Sequence, residues 1–199
     1  MNGIILAGGK SLRFGEDKAF VKVGDFILIE SLIGLLTPLF DNLIIVTNYP
    51  EKYVQYPVKV VVDQIKDLGP LGGIQAGLLA SDADYNFVMA CDMPLVKPSL
   101  IRYLMSKARA DIVVPRRGKN IEPLCAVYSK NCLTAIEALI KTGNYKIHAM
   151  FDKLNVDYVE DETIKQFDPG FLSFLNLNTK KDLERVYQCL KSSKLNASV

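Results

Sequence analysis

The sequence holds a single histidine, His148, and its four cysteines, Cys91, Cys125, Cys132 and Cys189, form no C-x-x-C pair. A zinc site needs several His or Cys at ligand spacing, and a disulfide scaffold needs paired cysteines in a short secreted chain, so these residues read as structural. A Ser-His-Asp or Cys-His mechanism would rest wholly on His148, and no nucleophile-elbow pattern accompanies it. An excess of one charge is also missing. Twenty-four basic and 22 acidic residues are interspersed for a net +2, which excludes a nucleic-acid footprint. The densest basic groups are Arg116, Arg117 and Lys119, which read as a solvated loop, and Lys10, Arg13 and Lys18 near the start. No apolar run approaches bilayer length, and no basic leader precedes an apolar stretch and a cleavage site, so cytoplasmic residence without membrane contact is expected.

What is present is an ordinary globular balance, 49% hydrophobic and 23% charged over 199 residues, with no Pro-, Gly- or Ser-rich divide. One domain over 1–199 is expected. Short β-branched apolar runs at 3–7, 43–47, 58–62, 86–90, 111–115 and 124–128 predict strands buried on both faces. Helical patterns at 27–36, 72–80, 99–108, 132–141 and 179–191 fall among them, the last with Thr179 as N-cap and Asp182 three residues on, and the tail beyond 191 reads as frayed. The alternation predicts an α/β fold, a three-layer α/β/α sandwich around a mostly parallel, doubly wound sheet. Ligands of such sheets lie at the carboxyl ends of strands. Gly8, Asn48, Asp63 and Asp92 each follow a predicted strand.

The first loop reads Leu6-Ala7-Gly8-Gly9-Lys10-Ser11-Leu12-Arg13-Phe14-Gly15-Glu16-Asp17-Lys18. Adjacent glycines after a buried strand admit close approach by a ligand, and three basic side chains can meet several anionic oxygens, which describes a phosphate cradle. Gly9-Lys10-Ser11 imitates the end of a Walker A loop, yet that motif requires a glycine where Ile4 stands, and Gly8, Gly9 and Gly15 do not fit G-x-G-x-x-G. Asp92, in Cys91-Asp92-Met93-Pro94, is either a turn former or the carboxylate that a magnesium ion shares with phosphate oxygens. Gly69-Pro70-Leu71-Gly72-Gly73 opens a helix and reads either as a cap or as a place where backbone approaches a ring or ribose.

Taken in order along nearly the whole chain, Leu6-Ala7-Gly8-Gly9 with Ser11, Arg13, Gly15 and Lys18, then Gly69-Pro70-Leu71-Gly72-Gly73, Cys91-Asp92-Met93-Pro94 and Asn176-Leu177-Asn178-Thr179 with Asp182 resemble the molybdenum cofactor guanylyltransferase (MobA) family. The resemblance implies a nucleotide-diphospho-sugar-transferase-like fold. It also implies transfer of GMP from GTP to a molybdopterin-type pterin phosphate, with Mg2+ and release of pyrophosphate, and hand-over to molybdoenzymes or other cofactor-assembly proteins. Residues 1–95 would form the nucleotide-binding half and 96–191 the acceptor-binding half. By the same resemblance Leu6, Ala7, Gly8, Gly9, Lys18, Asn48, Asp63, Gly72 and Asp92 would hold the nucleotide, and Asp92 the metal. Arg13, Lys18 and Asp92 would serve catalysis, and Lys146, Asn176 and Asn178 would face the acceptor. Strict alignment puts Thr47 where the family has the asparagine supplied here by Asn48, and Lys146 where it has an arginine, losing the bidentate fork. Alternatives within the fold are a cytidylyltransferase or a sugar- or polyol-phosphate nucleotidyltransferase; outside it, a non-catalytic nucleotide-binding or delivery protein.

Overall fold

The structure is a computed structural model that describes residues 1–8, 17–63 and 69–196. In chain order its elements are β1 (Asn2–Leu6), the hairpin β2 (Lys22–Val23) and β3 (Phe26–Ile27), α1 (Leu28–Leu36), β4 (Leu43–Thr47), β5 (Lys59–Val62), α2 (Pro70–Ala80), β6 (Tyr85–Ala90), α3 (Pro98–Ser106), β7 (Ile112–Arg117), β8 (Asn120–Ile121), β9 (Cys125–Ser129), α4 (Cys132–Lys141), β10 (Val156–Val159), α5 (Asp161–Phe167) and α6 (Lys180–Asn196). The main sheet runs β10-β7-β9-β6-β1-β4-β5, with β8 paired to β7.

From β1 the chain moves outward through β4 to β5, then returns to lay β6 on the other side of β1. That reversal opens a crevice at the carboxyl ends of β1 and β6, the place where doubly wound sheets bind ligands. Period-2 alternation sends Ile5 and Ile45 to one face and Ile4, Leu6, Ile44 and Val46 to the other. The first face is covered by Leu28 and Leu32 of α1, Leu100 and Leu104 of α3, Ile164 of α5 and Val186 of α6. The second is covered by Ile74 of α2 and by Ile136 and Leu139 of α4. The result is the expected three-layer sandwich. Gly77 is what lets α2 lie close to β1, because a Cβ there would stand 2.6 Å from Ile4 Cγ2.

Differences from the sequence reading are local. β9 runs antiparallel to both β6 and β7, since strand direction leaves no mark on an apolar run. β10 and α5 went unpredicted, the former because Val156-Asp157-Tyr158-Val159 is a partly exposed edge strand with a polar alternate. α6 continues to Asn196, past the predicted end. Arg116 and Arg117 are not a solvated loop but the end of β7: Arg116 Nε donates to Glu160 Oε2 at 3.1 Å, and the Arg117 guanidinium lies over Phe171 and Phe174. Among the described residues no helix is long and apolar enough to cross a membrane.

Candidate active site

The site is built on the junction of β1 and β6. Leu6 pairs with Ala90 in parallel register, and Cys91 N–H donates to the Leu6 carbonyl at 3.0 Å, so the strands stay joined one residue past the end of β6. Ala7 N–H donates to the Val46 carbonyl at 2.8 Å, which commits the Ala7 amide to the neighbouring strand. Adjacent strands lie about 4.8 Å apart. Gly8 and Asp92, each two residues beyond a paired position, therefore occupy one rim of the sheet side by side.

Burial decides between Thr47 and Asn48. Thr47 is fully buried, and its Oγ1 accepts from Tyr49 N–H at 3.2 Å. Asn48 is exposed, with Nδ2 3.8 Å from where a Cβ on Gly8 would stand, and so it borders the crevice. Asp63 follows β5 one strand further out. Gly72 is buried in the first turn of α2, behind Gly69, whose φ of 61° and ψ of −151° suit glycine alone. Gly9 and Arg13, together with the rest of the Lys10–Glu16 loop, lie outside the described residues.

Lys18 reaches the crevice from a 3₁₀ turn, Lys18–Phe20, that is fixed at both ends. Asp17 Oδ1 accepts from Ala19 N–H at 3.2 Å and its Oδ2 pairs with Lys52 Nζ at 3.1 Å, while Ala19 is fully buried and the Phe20 ring packs on Tyr53 at 5.1 Å. The Lys18 ammonium lies 3.3 Å from Asp92 Oδ2 and donates to Asn178 Oδ1 at 2.6 Å. One cation thus ties together residues 74 and 160 positions away. Both members of the Lys18–Asp92 pair keep about a fifth of their side-chain surface exposed, at 20% and 21%, which leaves them open to a ligand.

Asn178 is held in turn. Asp182 Oδ2 accepts from Asn178 N–H at 3.1 Å, from Thr179 N–H at 2.7 Å and from Thr179 Oγ1 at 2.8 Å, and Asp182 N–H returns a bond to Thr179 Oγ1 at 3.2 Å. This is the reciprocal cap expected at the start of α6. The hydroxyl of Thr179, then the backbone donors, hold the Asp182 carboxyl below its ordinary value. Leu177, buried, donates its N–H to the Asp92 carbonyl at 2.8 Å and so seats the whole segment on the end of β6. Burial, then the adjacent Asp92 charge, pushes the Cys91 thiol up to about 12, so it is a protonated packing group.

Of the acceptor-side expectations, Asn178 is turned onto Lys18, while Asn176 is exposed on the residue before the buried Leu177. Lys146 is exposed at the head of a 3₁₀ segment whose Ile147, Met150 and Phe151 pack on the opposite face of the sheet, and no described hydrogen bond or ion pair joins it to this site. Asp17, Lys52 and the Leu177 amide went unnoticed in the sequence. Asp17 had a legible signal, a side-chain acceptor two residues before a small buried residue.

Among the described residues no three His, Cys, Asp or Glu side chains gather as a metal cage. A crevice at the β1/β6 switch, one carboxylate, one lysine and two asparagines form a site for an anion that brings oxygen ligands of its own.

The chain is similar to known proteins over most of its length. Residues 3–158 match the MobA-like NTP transferase domain. The molybdenum cofactor guanylyltransferase of Syntrophotalea carbinolica is 40% identical over 187 residues, covering 92% of this chain and 89% of that protein. The molybdenum cofactor guanylyltransferase of Desulfosudis oleivorans is 35% identical over 198 residues, covering 98% of each. In three dimensions the chain is similar to the crystal structure of molybdopterin-guanine dinucleotide biosynthesis protein A from Archaeoglobus fulgidus, with a TM-score of 0.85 at 30% identity, covering 96% of this chain and all of that one. The chain belongs to the family of MobA-like NTP transferase domains.

Proposed function

We propose that this chain transfers GMP from GTP to the phosphate of a molybdopterin-type pterin, forming the guanine dinucleotide and releasing pyrophosphate, in the cytoplasm and with Mg2+. The observation that carries the reading is the Lys18 ammonium poised between Asp92 and Asn178 at the β1/β6 crevice. Names of relatives supply the base and the acceptor. Within one domain, 1–199, the first 95 residues hold the nucleotide and residues 96–191 the acceptor.

An oxygen of the acceptor phosphate attacks the α-phosphorus, and the bond from that phosphorus to the bridging oxygen of the β-phosphate breaks as pyrophosphate leaves. Both reactants are anions, so positioning and charge neutralisation dominate, and no covalent protein intermediate is needed. Gly8, with Leu6, Ala7 and Gly9 around it, lets the triphosphate approach the backbone; Asn48, Asp63 and Gly72 bound the nucleoside side. Lys18 moves its charge from Asp92 to the phosphate oxygens, and Arg13 adds a second positive charge to the same task. Asn178, with Asn176 two residues before it, faces the acceptor, while Lys146, which the resemblance also assigned to it, stands on a segment packed on the opposite face.

The residues fit magnesium: the Asp92 carboxylate stands on the rim beside Gly8, and a single protein carboxylate completed by phosphate oxygens and water suits that ion. When bound there it supplies charge neutralisation on the triphosphate.

Incubation of the chain with GTP, Mg2+ and a pterin phosphate, followed by product analysis, is expected to yield guanine dinucleotide and pyrophosphate in equal amounts. Turnover with CTP in preference to GTP would replace the base assignment. Triphosphate binding without any transfer would establish the delivery-protein alternative.

A further inference from the structure

Past Asn176 and Leu175 the rim continues into a cavity of about 670 Å³ bounded by the end of β7, the start of α5, residues 170–175 and α6. Two irregularities of the chain meet there. Phe171, with φ 52°, is the only non-glycine residue at positive φ among those described. Among the described residues Asp161 Oδ1 is one of two buried side-chain polar atoms, with the Tyr53 hydroxyl, that have no hydrogen-bond partner. Both residues line the cavity. A strained backbone and an unsatisfied buried oxygen each disfavour the folded chain, and such features persist where function holds them.

The cavity carries a third feature. The Arg117 guanidinium is centred 5.3 Å from the Phe171 ring and 5.4 Å from the Phe174 ring. Its nearest carboxylate, Glu122 Oε1, is 3.9 Å away, too far for a hydrogen bond. The Lys165 ammonium lies 5.9 Å from the Phe171 ring centroid, and Arg185 also lines the cavity. A planar cation backed by aromatic rings stacks on flat heterocycles, and a buried carboxylate oxygen without a donor calls for an N–H.

We propose that this cavity is the ring subsite of the acceptor, in which a planar heterocycle bearing N–H donors on its edge stacks on Arg117 and donates to Asp161. The inference rests on the proposed function and extends it. The aminopyrimidinone edge of a pterin has this chemistry. β7 lies two strand positions from β6, roughly 10 Å along the rim, a span suited to a ring at Arg117 whose phosphate reaches Asp92. The nucleotide lies on the other side of Asp92, against Gly8 and Asn48, so the ring served here is the acceptor's.

Titration of the ligand-free chain with a 6-substituted pterin monophosphate, read by the pterin's fluorescence, tests this alongside GTP titration and thermal melting. Asp161→Ala and Arg117→Ala are expected to weaken pterin binding about tenfold to a hundredfold. GTP affinity should stay within about twofold and melting within about 3 °C, since Asp161 Oδ1 has no bond to lose. Pterin binding that survives both substitutions overturns the subsite and leaves the proposed function standing; so does an equal loss of GTP affinity, which would place the cavity on the nucleotide side. A wild-type chain that binds GTP but no pterin phosphate overturns the acceptor assignment and the subsite together.

Discussion

The two rims of the sheet are furnished with the same residue types and differ in how those residues are bonded. On the amino-terminal rim Asn2 Nδ2 donates to Ser81 Oγ at 2.9 Å and to Asp82 Oδ1 at 2.6 Å, Ser81 Oγ donates to Asn86 Oδ1 at 2.5 Å, and Asn86 Nδ2 donates to the Ala83 carbonyl at 3.0 Å. Asn2, Ser81 and Asn86 are all buried. On the carboxyl-terminal rim the lysine, carboxylate and asparagines stay partly open to solvent and the cation is shared between two acceptors. A closed, buried polar network specifies the packing, whereas an open charged one is available to a ligand. The same asparagine therefore means structure at one end of a strand and function at the other.

Exchanging the damage tests that contrast most severely. Asp92→Ala is expected to lower turnover on the order of 10³-fold while the melting temperature barely moves, because the side chain, 21% exposed at the rim, lies outside the apolar core and loses only a partly exposed ion pair. Asn86→Ala should do the reverse. It strands buried partners on Ser81 and Ala83 and costs about 1–3 kcal/mol of stability, with turnover per folded molecule unchanged. Rate assays paired with thermal melts of the two variants check both halves. Near-normal turnover in Asp92→Ala would sink its assignment to the reaction.

Lys18→Ala comes next, with an expected loss on the order of 10² in rate through the missing contact to developing phosphate charge. Its partly exposed ion pair contributes at most about 1 kcal/mol to the ligand-free fold, so the melt should stay close to wild type. A rate change under about threefold would reduce Lys18 to a surface cation.

What could be read beforehand follows the same division. Gly8 and Asp92 were legible because parallel strands covered on both faces read as continuous apolar runs, and the residue after each run then marks the ligand-binding rim. The α6 cap was legible because all its bonds lie within five residues. The contact between Lys18 and Asn178 was not, since nothing in local spacing brings together positions 160 apart. Arg117 misled for a related reason: Arg116-Arg117-Gly118-Lys119 is locally indistinguishable from a solvated turn, and the rings that back it come from a segment more than fifty residues later. Asn48 stayed ambiguous with Thr47 until burial separated them.

A smaller effect tests whether the cap on α6 serves the rim as well as the helix. Asp182→Ala removes the acceptor that fixes the Asn178 and Thr179 amides, costing about 1 kcal/mol as a lost cap. If the carboxylate also aims Asn178 at Lys18, turnover should fall about tenfold through misplacement, at temperatures well below the melt. Thr179→Ser keeps the hydroxyl and should preserve both properties. An Asp182→Ala enzyme of full turnover and lower melting temperature would confine the residue to the helix.

The smallest expected effect, and the one that sets the rims in opposition, is the response to pH. At the amino-terminal rim Asp111 accepts from Asn131 Nδ2 and Asn155 N–H, both at 3.0 Å, and from Ser129 Oγ at 3.3 Å. Asn131 first, then Asn155, hold its carboxyl below the ordinary 3.8. A lowered folded-state pKa contributes stability that is complete above the unfolded value and is lost as pH falls through the folded one, so Asp111 favours folding at neutral pH and begins to lose that contribution as pH falls below 3.8. At the carboxyl-terminal rim burial raises Glu122 above its ordinary 4.5, despite the opposing charge of Arg117. Its sign is opposite. Ionisation of Glu122 costs the fold stability as pH rises from about 4.5 through the raised value, and protonation on the way down restores it. Melting temperature against pH should therefore show a shallower acid fall in Asp111→Asn than in wild type, and a melt about 1–3 °C higher at pH 7 in Glu122→Gln, an advantage that disappears below pH 4.5. Parallel curves for wild type and both variants would mean that neither carboxylate feels its rim.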